Sequence, residues 1–234
     1  MNHEGAVVPD ELEVLQACLG EHVHSLIELG CGRARLARHW MTQASGRNYL
    51  GLDLDERAMA RNAQEPVQGM CFELASATQV PAEADSFDAA MMLKSLHHVP
   101  VPEMDEALQE VWRVLKPRGL LYVSEPVYSG PLNEIVRLYN DEGVVRAAAQ
   151  AALDRLPRHG RWREVDAVRF TQPVHFADFA AFETRMLQPT FMELDIDEGL
   201  LVRIAQAFAA HCDDDGADFT RPMLVRVFEK LQER

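Results

Sequence analysis

Cysteine is scarce in this 234-residue chain: Cys18, Cys31, Cys71 and Cys212 are the only four, and none stands in a CxxC or CxH spacing. That argues against a disulfide framework and against a zinc site, and no metal is expected. Long apolar runs are missing as well. The stretch Phe87 to Leu93 is broken by Asp88, far short of the roughly 18 residues a bilayer span needs. The opening MNHEGAVVPDELEV lacks the basic and apolar regions of a secretory signal, so a cytoplasmic protein is expected. Basic residues are few, 23 Lys and Arg against 37 Asp and Glu, for a formal net charge of −14. Nucleic-acid binders present a basic face, because phosphate neutralisation supplies most of their affinity. Nucleic acid and anionic membranes are therefore poor partners, and cationic small molecules are mildly favoured. One local exception runs from Arg155 to Arg169, where Glu164 and Asp166 are interleaved among the arginines. It reads first as a solvated face and second as an anion site.

What remains is an ordinary globular composition, 47% apolar and 26% charged. No repeat or low-complexity tract appears. Leu12, Leu15 and Leu19 form one helical stripe over residues 10–21. Strands are predicted at 25–30, 48–53, 70–75, 87–93 and 120–126. Helices are predicted at 33–43, at 55–64 with Asp55 as cap, and at 103–116, ended by Pro117 and Gly119. Strand and helix in this alternation imply βαβ units and a doubly wound, mostly parallel sheet. After Pro126 the rhythm changes. Residues 131–156 look helical, 166–176 extended, 177–188 and 197–211 helical, and 219–231 an edge or near-edge strand containing Pro222. A single domain is expected, with a core at 10–126, a helical lid at 127–165 over the carboxyl edge of the sheet, and helices and edge strands at 166–234. The run Asp213 to Asp215 has the wrong spacing for a calcium loop and reads as a turn.

The sharpest local signal is IELGCGRARLA at 27–37. A strand enters a Gly-x-Gly turn and leaves as a helix, which lets backbone approach a ligand at the carboxyl edge of a parallel sheet. Asp53 ends the next strand about twenty residues on, where an acid can accept hydrogen bonds from a ribose diol. A nicotinamide-binding fingerprint would place a third glycine where Arg35 stands, and it does not call for Glu28 before the first glycine. A carboxylate at Glu28 suits the ammonium of an amino acid.

On these residues the chain resembles the class I S-adenosylmethionine-dependent methyltransferases of the small-molecule type, over about residues 10–126. IELGCGRA is similar to the family's first motif, with Ala34 in place of a glycine expected to matter mainly for helix packing. YLGLDLDERAMARN is similar to the second. LASATQVPAEADSFDAAM is similar to the adenine-contacting segment, with Ser76 at a position often held by aspartate. LHHVPVPEMDEALQEVWRVLKPRGLLYVSEP is similar to the loop, helix and turn around strands four and five, with Arg118 replacing a glycine. The resemblance implies a Rossmann-like seven-stranded sheet with the lid inserted after strand five. It implies S-adenosyl-L-methionine as cofactor, and as its binding set Glu28, Gly30, Cys31, Gly32, Asp53, Leu54, Ser76, Ala77 and Leu93. Cys31 is expected to pack, not to react.

The implied chemistry is in-line displacement of an activated methyl group onto a small-molecule acceptor, by a monomer or homodimer. Positioning carries most of such a reaction, and a base is needed only if the nucleophile must lose a proton. His97, His98, Glu125 and Tyr128 are the candidates, at the carboxyl ends of strands four and five. The histidines come first because imidazole titrates near neutrality. Asn133, Arg137 and Asp141 are candidate lid contacts. Valine at Gly30 is expected to fill space meant for the methionine moiety. The alternative reading is a non-catalytic cofactor-binding partner or regulatory subunit; a dehydrogenase ranks below both.

Overall fold

Strands that are apolar on both faces need helices on both faces, and the first half of the chain meets that need. In the computed structural model, which describes residues 6–189 and 193–232, β1 (Ala6–Val7) and α1 (Leu12–Leu19) precede β2 (Ser25–Leu29) and α2 (Arg35–Thr42). Next come β3 (Asn48–Asp53), α3 (Glu56–Gln64), β4 (Met70–Leu74), β5 (Phe87–Leu93), α4 (Met104–Val114) and β6 (Leu115–Pro126). The second half holds α5 (Pro131–Val136), α6 (Gly143–Arg155), β7 (Trp162–Phe176), α7 (Phe179–Phe182), α8 (Glu198–Ala209), β8 (Cys212–Asp213) and β9 (Gly216–Lys230). Residues 1–5, 190–192 and 233–234 of the expected domain lie outside the described residues.

The sheet order is β1-β7-β9-β6-β5-β2-β3-β4, with β8 paired to β9. Strands β2 to β6 pair in parallel, and β9 runs antiparallel between β6 and β7. The expected mostly parallel sheet is present; β1 and β8 add two residues each to its seven longer strands. From β2 the chain steps outward to β3 and β4, then returns to β5 on the other side of β2. That reversal opens a crevice at the carboxyl ends of β2 and β5.

Alternation along the strands builds two cores. Leu26, Met91 and Tyr122 bury against Leu15 and Leu19 of α1 and Trp40 of α2. Ile27, Met92 and Val123 face the other way, onto Leu108 and Val111 of α4 and Leu153 of α6. Each large side chain buried this way contributes about 1.5–3 kcal/mol.

The region after Pro126 departs most from expectation. The helix expected over 131–156 is broken at 137–142, where Asp141 Oδ1 accepts from the Gly143 amide at 3.0 Å, an Asx turn that competes with helix. The segment expected as a lid therefore divides. Ala149, Ala152 and Leu153 of α6 are buried in the second core, so this helix packs on the sheet and reaches the site only through Arg146 in its first turn. β7 begins within the expected lid, at Trp162. A roof does exist, from other segments. β6 ends at Pro126, opposite Met223, while β7 and β9 stay paired up to Phe176 and Ala217, past that edge. Upon this projecting antiparallel pair, α5, α7 and α8 gather around Phe176, Phe182, Phe208 and Phe219. β9 is near the edge, as one of the two expectations had it, with β7 and the two-residue β1 outside it. Pro222 lies just beyond the last β6 partner, where a missing amide is tolerated.

Candidate active site

The loop from β2 into α2 lies over the end of β3. The amides of Gly30 and Cys31 both donate to Leu52 O, at 2.8 and 2.9 Å. Asp53 accepts from the Gly32 amide at 2.6 Å through Oδ2 and from the Asp55 amide at 2.9 Å through Oδ1. Asp53 thus braces the glycine turn. Each oxygen keeps a second lone pair, so a ribose diol can still be accepted. Gly32 has φ +48°, and a Cβ built there would meet nothing within 4 Å, so the turn borders open space. Leu54, 69% exposed, stands beside it.

Gly30 plays a different part from the one expected. Its φ is +76°, and a Cβ there would lie 2.5 Å from Ser95 Cβ. The missing side chain makes room for the loop after β5, which Ser95 anchors by donating to Leu29 O at 2.6 Å. Ala34 also exceeds its expected role. Its φ is +49°, so the position requires a left-handed backbone as well as packing, and alanine there costs about 1–2 kcal/mol.

Glu28 is buried beneath the turn, and Tyr49 Oη donates to it at 2.5 Å. Burial pushes its carboxyl up to about 8, against the opposing effects of the Tyr49 hydrogen bond and Lys94. Burial, with Glu28 and Asp53 nearby, also pushes the Cys31 thiol up, which makes it a packing residue. Ser76 turns its hydroxyl to Thr78 Oγ1 at 2.9 Å, inside a local turn after β4. Ala77 packs on the second core and Leu93 on the first. S-Adenosylmethionine fits these residues: open space beside Gly32, spare acceptor capacity on Asp53 and a buried acid at Glu28.

On the β5 and β6 side, Glu125 accepts from the Leu96 amide at 3.0 Å, from the His97 amide at 3.4 Å and from His97 Nδ1. Glu125 is 2% exposed and His97 4%. Both carboxylate oxygens are engaged, so Glu125 positions the imidazole and does not face a ligand. His97 Nε2 is directed toward Glu142 Oε2, 3.8 Å away. The His98 ring lies tilted at 42° to that of His97, with centroids 4.1 Å apart; desolvation, then the neighbouring imidazole, hold its pKa below the usual value.

His97 and His98 line a cavity of about 350 Å³ between the sheet edge and the roof. Lys94, Asn133, Tyr139, Glu142, Arg146, Arg185 and Arg221 share its wall. Tyr128 does not: its hydroxyl donates to Asp141 Oδ1 at 2.6 Å on the outer surface, and that bond raises its pKa, so its expected catalytic place is not supported. Arg137 and Asp141 are likewise outside the wall, whereas Asn133 is in it. His97, His98 and Glu142 offer three ligand atoms within 4.8 Å. Glu142, however, already accepts from Arg146 Nη2 at 2.5 Å and Asn140 Nδ2 at 2.9 Å, which opposes a cation there. Sequence reading missed Glu11, Tyr139, Glu142, Arg146, Arg185 and Arg221. Buried Glu11 is held by Lys94 at 3.3 Å, Tyr122 Oη at 3.2 Å and Gln172 at 3.1 Å.

Residues 27–123 match the family model of the methyltransferase domain. Over 117 residues the chain is 30% identical to methyltransferase GfsG of Streptomyces halstedii, covering 48% of this chain and 41% of that protein. It is 30% identical over 161 residues to a 24-methylenesterol C-methyltransferase of Oryza sativa, covering 67% and 42%. These matches span about two fifths of the curated relatives' lengths. The YcgJ protein of Bacillus subtilis has the same fold, with a TM-score of 0.64 at 16% identity over 95% of this chain and 99% of that one.

Proposed function

We propose that the chain carries a class I S-adenosylmethionine-dependent methyltransferase domain with S-adenosylmethionine as its cofactor, and that it methylates a small molecule held in the cavity beside His97. The observation that carries this reading is the roofed cavity itself. Its floor is the carboxyl edge of the sheet, its roof the cap of α5, α7 and α8, and an oriented imidazole stands in its wall.

Bound S-adenosylmethionine supplies a methyl group already activated by the sulfonium charge. Glu28 would take the cofactor's ammonium and Asp53 its ribose, and the Gly32 turn would give backbone close approach. Because Nδ1 of His97 donates to Glu125, Nε2 is the basic face. It removes the proton of a hydroxyl or carbon-acid acceptor, and Glu125 and Glu142 stabilise the imidazolium that forms. The roof excludes water and orients the acceptor, which is where most of the rate originates. Nucleic acid is no partner in this reading, given the net charge of −14. Among the described residues no helix is long and apolar enough to cross a membrane, and we place the protein in the cytoplasm.

The test is transfer of labelled methyl from S-adenosylmethionine into a size-fractionated metabolite extract. Label in the small-molecule fraction, lost about a hundredfold in His97→Ala, is the expected result. Label confined to macromolecules contradicts the acceptor class. Tight cofactor binding with no transfer to any fraction favours the non-catalytic partner instead.

A further inference from the structure

Charge on the cavity wall runs against the charge of the chain. Lys94, Arg146, Arg185 and Arg221 face one carboxylate, Glu142, in a protein of net charge −14. Lys94 is answered by Glu11 at 3.3 Å and Arg146 by Glu142 at 2.5 Å. Arg185 and Arg221 have no carboxylate in ion-pairing distance among the described residues. The Arg185 guanidinium lies over the Phe176 ring, 5.3 Å from its centroid. Arg221 sits in β9, paired in register with Gln172 of β7. Desolvation, then Arg185 and Arg146, lowers its pKa against the smaller opposing pull of Tyr139 and Glu142, so the net effect of the fold is to work against this charge.

Unpaired donors gather at the same place. Tyr139 Oη, Asn133 Nδ2 and Arg146 Nε are buried without a hydrogen-bond partner, and all three residues line this cavity. A buried donor left unmade is costly, and a cluster of them around one cavity marks a missing acceptor. A cation would worsen both features, whereas an oxyanion resolves both.

We propose that the methyl acceptor is a carboxylate-bearing small molecule whose carboxylate is held by Arg221, with Arg185 and Arg146 flanking it, while its nucleophilic atom faces His97. The planar guanidinium fork matches a carboxylate in a bidentate pair, which fixes orientation as well as charge. The volume, about 350 Å³, is at the small end for ligand sites. This proposal rests on the small-molecule reading above.

The experiment uses full-length protein saturated with S-adenosylhomocysteine. Probes are hydroxy- and aminobenzoates paired with the matching benzamides, read by saturation-transfer NMR and calorimetry. Benzoates should bind at least ~tenfold more tightly than their amides. Arg221→Gln should bring benzoates down to the amide level, keep S-adenosylhomocysteine affinity within about twofold, and leave the melting temperature equal or higher, because a half-buried charge with no carboxylate in ion-pairing distance is removed. Equal binding of acid and amide, no binding of either, or benzoate binding that survives Arg221→Gln overturns the proposal. So does displacement of benzoate by S-adenosylhomocysteine, which would assign the arginines to the cofactor's own carboxylate. Failure of the wild-type protein to bind S-adenosylhomocysteine is a separate outcome and counts against the cofactor premise.

Discussion

The two halves of the site differ in origin and in sign. The half we assign to the cofactor comes from neighbouring strand ends, with Asp53 supplying negative charge and Glu28 a buried carboxyl that would ionise against an ammonium. The half we assign to the acceptor gathers Lys94, Arg146, Arg185 and Arg221 from the loop after β5, α6, the π-helical segment after α7 and β9, and it is positive. Parallel strand topology fixes the first half almost unaided, since any crevice at a switch point gathers what stands at the strand ends. The second half depends on how far the β7–β9 pair overshoots β6, a tertiary property. A site of this kind suits a cationic cofactor on one side and an anionic partner on the other.

Gly30→Val should have the largest effect, because that glycine joins the halves through Ser95. A Cβ would lie 2.5 Å from Ser95 Cβ at a φ of +76°. Strain and overpacking together should cost about 3 kcal/mol or more, read by denaturant melts. A normal melt would show that the two loops are independent. Glu125→Gln should separate the halves from the other side. We expect turnover about tenfold or more lower, with cofactor affinity unchanged, because only the orientation of His97 is lost. Cofactor affinity that falls in step would place Glu125 in the cofactor half.

Glu28 gives the comparison a pH signature. Its folded pKa is about 8, above the reference of 4.5. The protonated acid therefore contributes stability that is complete below about 4.5 and lost as pH rises through about 8. Binding the cofactor's ammonium needs the ionised form. S-Adenosylmethionine affinity should accordingly rise by up to about tenfold per pH unit toward 8 and level off above it. Glu28→Gln should bind weakly at every pH; a pH slope that persists in that variant removes Glu28 from the ammonium site. The smallest effect expected is a gain. Arg118 has φ +68°, so Arg118→Gly should relieve left-handed strain against the loss of one exposed pair to Glu229, a net gain of about 0.5–1 kcal/mol. Neither binding half should respond to it.

What was legible follows the same divide. IELGCG and Asp53 could be read because strand, turn and acid lie within 27 residues, bound by local rules. The backbone demand at Ala34 and Arg118 was hidden, since neither side chain announces a positive φ. Tyr128 was misplaced because strand-end logic does not say which way a loop residue turns, and its partner Asp141 faces outward. The Ala-rich helix at 143–155 looked like a lid only because its buried face was unknown; Ala149 and Leu153 need the sheet beneath them. Arg185 and Arg221 carried no signal at all. They lie 36 positions apart in unremarkable segments, and only the cap brings them together.

The central claim is that cofactor binding belongs to one half and proton handling to the other. Calorimetric titration of S-adenosylmethionine into wild type, Asp53→Ala and His97→Ala tests it most directly. Asp53→Ala should lose about a hundredfold or more in affinity, with some loss of stability as the Gly32 and Asp55 amides lose their acceptor. His97→Ala should bind within about threefold of wild type, because a base toward the acceptor adds little to cofactor affinity. Wild-type affinity in Asp53→Ala, or equal losses in both variants, would contradict the account.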